Sequence, residues 1–86
     1  MGKRTRQIVA VRRDPRLGIT HVVTVEEEGE PREEPVDEAI REMESLSVWY
    51  FVMQDGQALL VEISRRHGTV EIASPVLGAP IDLPDA

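Results

Sequence analysis

Apolar positions along the chain recur with two different periods, and the changes of period divide it into elements. Residues 7–12 form a short β-branched run with Ile8, Val9 and Val11, too short for a helix and suited to a strand. Asp14-Pro15-Arg16-Leu17-Gly18 supplies turn chemistry, because Asp14 can bond the backbone ahead of it, Pro15 fixes φ and Gly18 accepts a positive φ. Residues 19–25 then alternate with a period of two: Ile19, His21, Val23 and Val25 on one face, Thr20, Val22 and Thr24 on the other. Two strands around a loop containing glycine predict a hairpin. Residues 26–34 hold seven charged side chains with Gly29, Pro31 and nothing apolar, and are expected to be a solvated loop.

The period then changes. Pro35 stands where a helix would begin, Asp37 and Glu38 occupy the first turn where the helix dipole favours anions, and Val36, Ala39, Ile40 and Met43 form an i, i+3, i+4, i+7 stripe. Asp37 and Arg41 are spaced for a helical ion pair. The spacing predicts a helix over residues 35–45. Val48-Trp49-Tyr50-Phe51-Val52-Met53 has no polar face, which predicts a central strand with Trp49 and Phe51 on one side and Tyr50 on the other. Asp55-Gly56 between two apolar runs is a strong hairpin signal. Residues 58–64 alternate with Leu59, Val61 and Ile63 inward, Arg65-Arg66-His67-Gly68 turns the chain, and residues 69–73 return with Val70 and Ile72 inward. Pro75, Pro80 and Pro84 exclude further regular structure, although Val76, Leu77, Ile81 and Leu83 leave this tail able to pack.

The expected fold is therefore α+β: a small antiparallel β-sheet in the order β-β-α-β-β-β, one helix packed on one face, and an extended C-terminal tail. The organisation expected is a disordered basic stretch over 1–6, a single domain over 7–74 and a proline-rich extended tail over 75–86. Its core is expected to contain Ile8, Val11, Val23, Ile40, Met43, Phe51, Leu59, Val61, Val70 and Ile72.

One set of motifs, taken in order, carries a family likeness. Ile8-x-Ala10-Val11-Arg12-x-Asp14 leads through a loop to Gly18-Ile19-Thr20-His21-Val22; Asp37-Glu38-Ala39-Ile40 follows, then a strand ending in Asp55-Gly56 and a terminal Ile81-Asp82-Leu83-Pro84. In this order and spacing the chain resembles a small bacterial family, domain of unknown function 3892. The resemblance implies a small α+β fold. That family has no assigned activity, so it transfers no functional residue.

Charge changes the functional picture. The net charge of −6 conceals a basic N-terminal stretch: residues 1–16 carry six cations against Asp14, and ten of the sixteen acids fall between Glu26 and Glu44. There is no cysteine and no apolar run long enough to span a bilayer. The basic stretch lacks the apolar segment of a secretory signal, so a cytoplasmic chain that does not engage a membrane is expected. The glutamates lie in a loop with nothing to desolvate them and lack calcium-loop spacing. His21 reads as a half-buried strand histidine and His67 as an exposed turn residue, with no spacing that unites them on a metal. The serines stand in no nucleophile motif, and no glycine-rich phosphate loop exists. The expectation is a non-enzyme without cofactor or metal. Arg12, Arg13, Arg16, Arg65 and Arg66 are the candidate partner or phosphate contacts. The three aromatics are consecutive instead of spread over a sheet as stacking platforms, and the arginines have nearby glutamates to pair with. A binding module for an unknown protein partner or for a second copy of itself is accordingly favoured over a weak nucleic-acid accessory protein.

Overall fold

The apolar runs do become strands, but the sheet they build closes on itself. The computed structural model describes residues 4–26, 29–76 and 78–86. In chain order the elements are β1 (Arg4–Asp14), β2 (Gly18–Val25), β3 (Arg32–Pro35), α1 (Val36–Glu44), β4 (Val48–Gln54), β5 (Gln57–Arg66), β6 (Thr69–Ser74) and β7 (Ala79–Pro80). The strand order is β3-β2-β1-β4-β5-β6-β7, and a further pairing of Gly18 with Val70 joins β2 to β6. Strands β2, β1, β4, β5 and β6 thus form a closed five-stranded barrel, with β3 and β7 as short outer additions.

This corrects the expected open antiparallel sheet with a helix on one face. Two non-local facts produce the difference. The link from β2 to β4 runs through β3 and α1, long enough for a crossover, and β4 enters parallel to β1 with Arg4 opposite Val48 and Gln7 opposite Phe51. The other is Gly18, which serves the closure as well as the turn. Its φ is 76°, and a Cβ there would sit 3.4 Å from both the Thr69 Cβ and the Val70 nitrogen. The helix touches β2, β3, β4 and β5, strands on different sides of the barrel, and so lies across one of its openings. Val36 and Ala39 are its buried residues, with Ile40 and Met43 half-buried beside them.

Bulges explain which expected core residues moved. Along β1 and β2 the register passes from Ile8 opposite Thr24 to Ala10 opposite Val23, which leaves Val9 extra. It passes again from Arg12 opposite His21 to Arg13 opposite Ile19, which leaves Thr20 extra. An extra residue reverses the alternation beyond it. Ile19, Val22 and Thr24 are consequently buried, while Val23 and His21 are half-buried. In β4 the inward residues are Val48, Tyr50 and Val52, so Phe51 is half-buried and outside the core that was expected to hold it. Ile8, Val11, Val61, Val70 and Ile72 are buried as expected, and Ile40, Met43 and Leu59 pack against them partly buried.

Three further expectations change. Arg4 to Arg6 belong to β1, not to a disordered stretch; residues 1–3 of that stretch lie outside the described residues. The acidic segment is not wholly loop, because residues 32–35 pair with β2 as β3; Glu27 and Glu28 lie outside the described residues. The tail contains β7, which pairs with β6, and Ile81 and Leu83 pack on the core, whereas Val76 is exposed and Leu77 lies outside the described residues. The Asp-Gly signal is met: Asp55 (φ 52°) and Gly56 (φ 78°) make the two-residue turn between Gln54 and Gln57.

Truncation should sort the helix stripe from the barrel core. Ile72→Ala, at a fully buried site, is expected to lower stability by ~2–5 kcal/mol. Ile40→Ala, half-buried, is expected to lower it by about 1–2 kcal/mol. Urea unfolding followed by circular dichroism measures both; an equal loss at the two sites would contradict this packing.

Candidate interaction surface and buried charge cluster

Arg6 stands two residues before Ile8 on β1, on the inward side, so its guanidinium enters the barrel end. Three carboxylates meet it there. Its Nε donates to Glu26 Oε1 at 2.9 Å, and its Nη1 donates to Glu34 Oε2 at 3.1 Å and to Glu42 Oε2 at 2.6 Å. The Tyr50 hydroxyl donates to Glu34 Oε1 at 2.6 Å. Arg6, Glu34 and Tyr50 are 4%, 2% and 1% exposed, while Glu26 and Glu42 close the cluster from its solvent side. The cluster gathers one residue each from β1, β3, α1 and β4, and Glu26 from just beyond β2. Every buried side-chain nitrogen and oxygen among the described residues has a hydrogen-bond partner.

Burial by itself lowers the pKa of the Arg6 guanidinium. The hydrogen bond to Glu26 and the charges of Glu34 and Glu42 outweigh it and hold its pKa above the ordinary value. Burial, then the bond to Glu34 and its charge, push the Tyr50 phenol well above its ordinary 10.0. The Glu26 carboxyl is lowered by its bond to Arg6. Chemically this is a satisfied ion cluster, and its groups are occupied by one another. Part of its signal was present in the sequence: Arg6 and Tyr50 share the alternation phase of the buried Ile8 and Val48, whereas Glu34 lies in a segment whose composition points to solvent.

The five arginines singled out from sequence are dispersed. Arg12 Nε lies 2.8 Å from Glu33 Oε1. Arg13 Nη1 donates to the Leu83 carbonyl at 3.3 Å and to the Asp85 carboxylate. Arg65 pairs with Asp37. Arg16 and Arg66 are exposed in the β1–β2 turn and at the end of β5, and the Gly18–Val70 bridge brings those two hairpin ends to one rim. His21 is half-buried and bonds Thr20 Oγ1 through Nδ1 at 3.0 Å; His67 is exposed. Among the described residues no cluster of histidine, aspartate or glutamate is placed to hold a metal ion, and no helix is long and apolar enough to cross a membrane.

A different surface is assembled on β4 and β5. With Tyr50 inward, Trp49, Phe51 and Met53 point outward, and Phe51 pairs with Leu60 and Met53 with Ala58 across the hairpin. Thr5 and Gln7 of β1 continue this face beside Trp49 and Phe51. Trp49, Leu60 and Met53 are 37%, 46% and 49% exposed. A groove of about 260 Å³ adjoins it, lined by Met43, Leu46, Trp49, Leu60 and Pro75 among others, with Glu62 its one charged residue. Leu46 follows the helix with φ 61°, a left-handed conformation usually given to glycine, and is 62% exposed. Sequence reasoning placed Trp49 and Phe51 together correctly but assigned their face to the core.

The chain matches no family model, no curated protein and no solved structure.

Two measurements test the cluster. Arg6→Gln leaves Glu34 buried beside two further carboxylates and is expected to cost about 3–5 kcal/mol in urea unfolding. If that variant does not fold, Tyr50→Phe, which removes one donor from Glu34, should still fold with a loss of ~1–3 kcal/mol. Tyr50 is the only tyrosine, so the ultraviolet phenolate signal reports it alone. Because its folded pKa is raised, its stabilising contribution is complete below pH 10.0 and is lost as pH climbs through the folded value. Phenolate should therefore appear well above pH 10.0 in the folded protein, together with unfolding; free titration at the ordinary value would contradict the burial described.

Proposed function

We propose that the protein is a small non-catalytic, cytoplasmic module that acts by self-association, using the outer face of β1, β4 and β5 as a two-fold dimer interface. One observation carries the reading. On a chain of net charge −6, the outward positions Thr5, Gln7, Trp49, Phe51, Met53, Ala58 and Leu60 bear no charge, and four of them are large and apolar. In an isologous pair each copy presents the same patch, so a charged face would set like charges against each other. This face avoids that. A stable interface takes on the order of 800 Å² from each partner. That is about an eighth of the 6037 Å² this chain exposes, and the face supplies the uncharged centre, with Glu62 of the adjoining groove at its margin. Leu46 adds weight, since an apolar side chain held exposed on a left-handed backbone is unfavourable on both counts without a contact.

The competing reading, a nucleic-acid accessory protein, rests on the basic residues. Of the five candidate arginines, Arg12, Arg13 and Arg65 already have carboxylate partners, which leaves Arg16 and Arg66 of that set at the rim. Two cations release few counterions, so phosphate binding is expected to be weak.

Sedimentation velocity over a concentration series should show a monomer–dimer equilibrium. Leu60→Glu, at an exposed site, should abolish it without changing the circular dichroism spectrum. A wild-type protein that stays monomeric at millimolar concentration would refute the reading. Micromolar DNA or RNA binding with a steep salt slope, lost on replacing Arg16 and Arg66, would favour the alternative.

A further inference from the structure

β1 has an edge beyond its pairing with β4, and the chain's own tail sits on it. Pairing of β1 with β4 covers Arg4 to Gln7, and the extra residue Val9 follows at once. A bulge bends its strand, and β1 departs from β4 there. Farther along, the Val11 amide donates to the Pro84 carbonyl at 3.0 Å, the Val11 carbonyl accepts from the Ala86 amide at 2.8 Å, and Val11 forms a parallel bridge with Asp85. Ile81 and Leu83 pack partly buried against the core, and Asp85 meets Arg13. Alternate side chains are thus read while the backbone bonds to the edge, the pattern of strand addition.

We propose that the β1 edge at Val11–Arg13 is an acceptor site for an extended segment of another protein, and that residues 82–86 are a resident pseudo-ligand which that segment displaces. The segment carries an aliphatic residue two positions before a carboxylate, the pattern of Leu83 and Asp85. Two features mark the tail as replaceable. It holds the edge through a single bridge, and Pro84 has no amide with which to extend the ladder. The ion pair that fastens it is exposed, with the Asp85 side chain 74% accessible. Charge complementarity gives the partner's sign. The open groove beside Asp85 is lined by Arg12, Arg13, Asp14, Thr20 and His21; Glu33 holds Arg12 and the β1–β2 turn occupies Asp14, so Arg13 is the cation that an incoming carboxylate meets. A foreign segment fits better than the tail of a second copy. The bond from the Ile81 amide to the Ile72 carbonyl, at 2.8 Å, holds the chain up to that residue. Asp85 lies only four residues beyond that anchor, a reach of roughly 14 Å of extended chain. The site lies apart from the β4–β5 outer face and does not depend on dimerisation.

The probe is a fluorescently labelled peptide of the sequence of residues 79–86, titrated by anisotropy into the full chain. A tethered tail competes at an effective concentration of millimolar order. The wild type should therefore bind weakly, and Leu83→Ser with Asp85→Ser should bind at least about tenfold more tightly. Adding Arg13→Glu to that variant, or replacing the peptide's aspartate that corresponds to Asp85 with lysine, should abolish the gain. If the double tail variant fails to fold, Asp85→Ser alone, at an exposed side chain, should show the same direction. Leu60→Glu should leave peptide binding intact, which separates this site from the proposed dimer face. No binding to a folded tail variant, or binding indifferent to Arg13, would overturn the proposal. A wild-type dimer that the tail substitutions dissolve and Leu60→Glu does not would also overturn it, by giving the edge to a second copy.

Discussion

The burial of the Arg6 guanidinium is the constraint from which much of this structure follows. A cation on the inward side of β1 cannot be left dehydrated and alone, because desolvating an unpaired charge costs several kcal/mol or more. Three carboxylates from three other segments must come to it, and each brings its segment along. Glu34 draws residues 32–35 onto β2 as β3, although that stretch has no strand-forming composition. Glu42 sets the rotation of α1 across the barrel opening. Glu34 also accepts the Tyr50 hydroxyl, which fixes Tyr50 inward and with it the phase of β4. Buried ion pairs add little net stability compared with apolar residues of like volume, but breaking one is costly. The cluster's effect is therefore on register more than on total stability. Because Tyr50 is held inward, Trp49, Phe51 and Met53 must point out, and the uncharged face is a consequence of the charge cluster behind it.

What could be read from the sequence was what local chemistry decides. The helix stripe, the Asp55-Gly56 turn and the β5 and β6 alternation depend on residues within a turn or two of one another, and all appear where the pattern placed them. The closure did not, since nothing local says that Gly18 will meet Val70 or that β4 will run parallel to β1. The bulges were also invisible. Val9 and Thr20 are good strand residues, and an alternating pattern carries no mark of where one residue will be left unpaired. A single such residue was enough to exchange Val23 for Val22 in the core. β3 was hidden for the opposite reason, as its composition speaks for solvent and its place is set by Arg6, some twenty-eight residues away.

The charge asymmetry was legible as a total and misleading as a surface. Six cations in the first sixteen residues suggest a basic face, yet the fold spends several of them internally. Arg6 is buried, Arg12 meets the β3 edge through Glu33, and Arg13 fastens the tail. Arg6, the most consequential of them, was not among the five candidate contacts. An arginine's chemistry alone does not say whether it will face a partner or a carboxylate of its own chain. The strand phase does, and Arg6 shares that of Ile8.

A barrel removes free strand edges by closing, and this one closes imperfectly in a way that accounts for its remaining parts. The β2–β6 seam is a single bridge, so both strands keep unpaired lengths, which β3 and β7 cover. The cover on one side carries Arg32, Glu33 and Glu34, and on the other it ends in Pro80; charge and proline both discourage an additional strand. β1 differs. Its bulge separates it from β4 after Gln7, and Val11 directs both main-chain groups toward an edge that no barrel strand reaches. Leaving those groups unsatisfied would be unfavourable, and the tail satisfies them with a strand that is short, interrupted by Pro84 and tied by an exposed ion pair. The Val9 bulge, which keeps both Ile8 and Val11 inward, therefore also opens the edge that the tail covers through a single bridge.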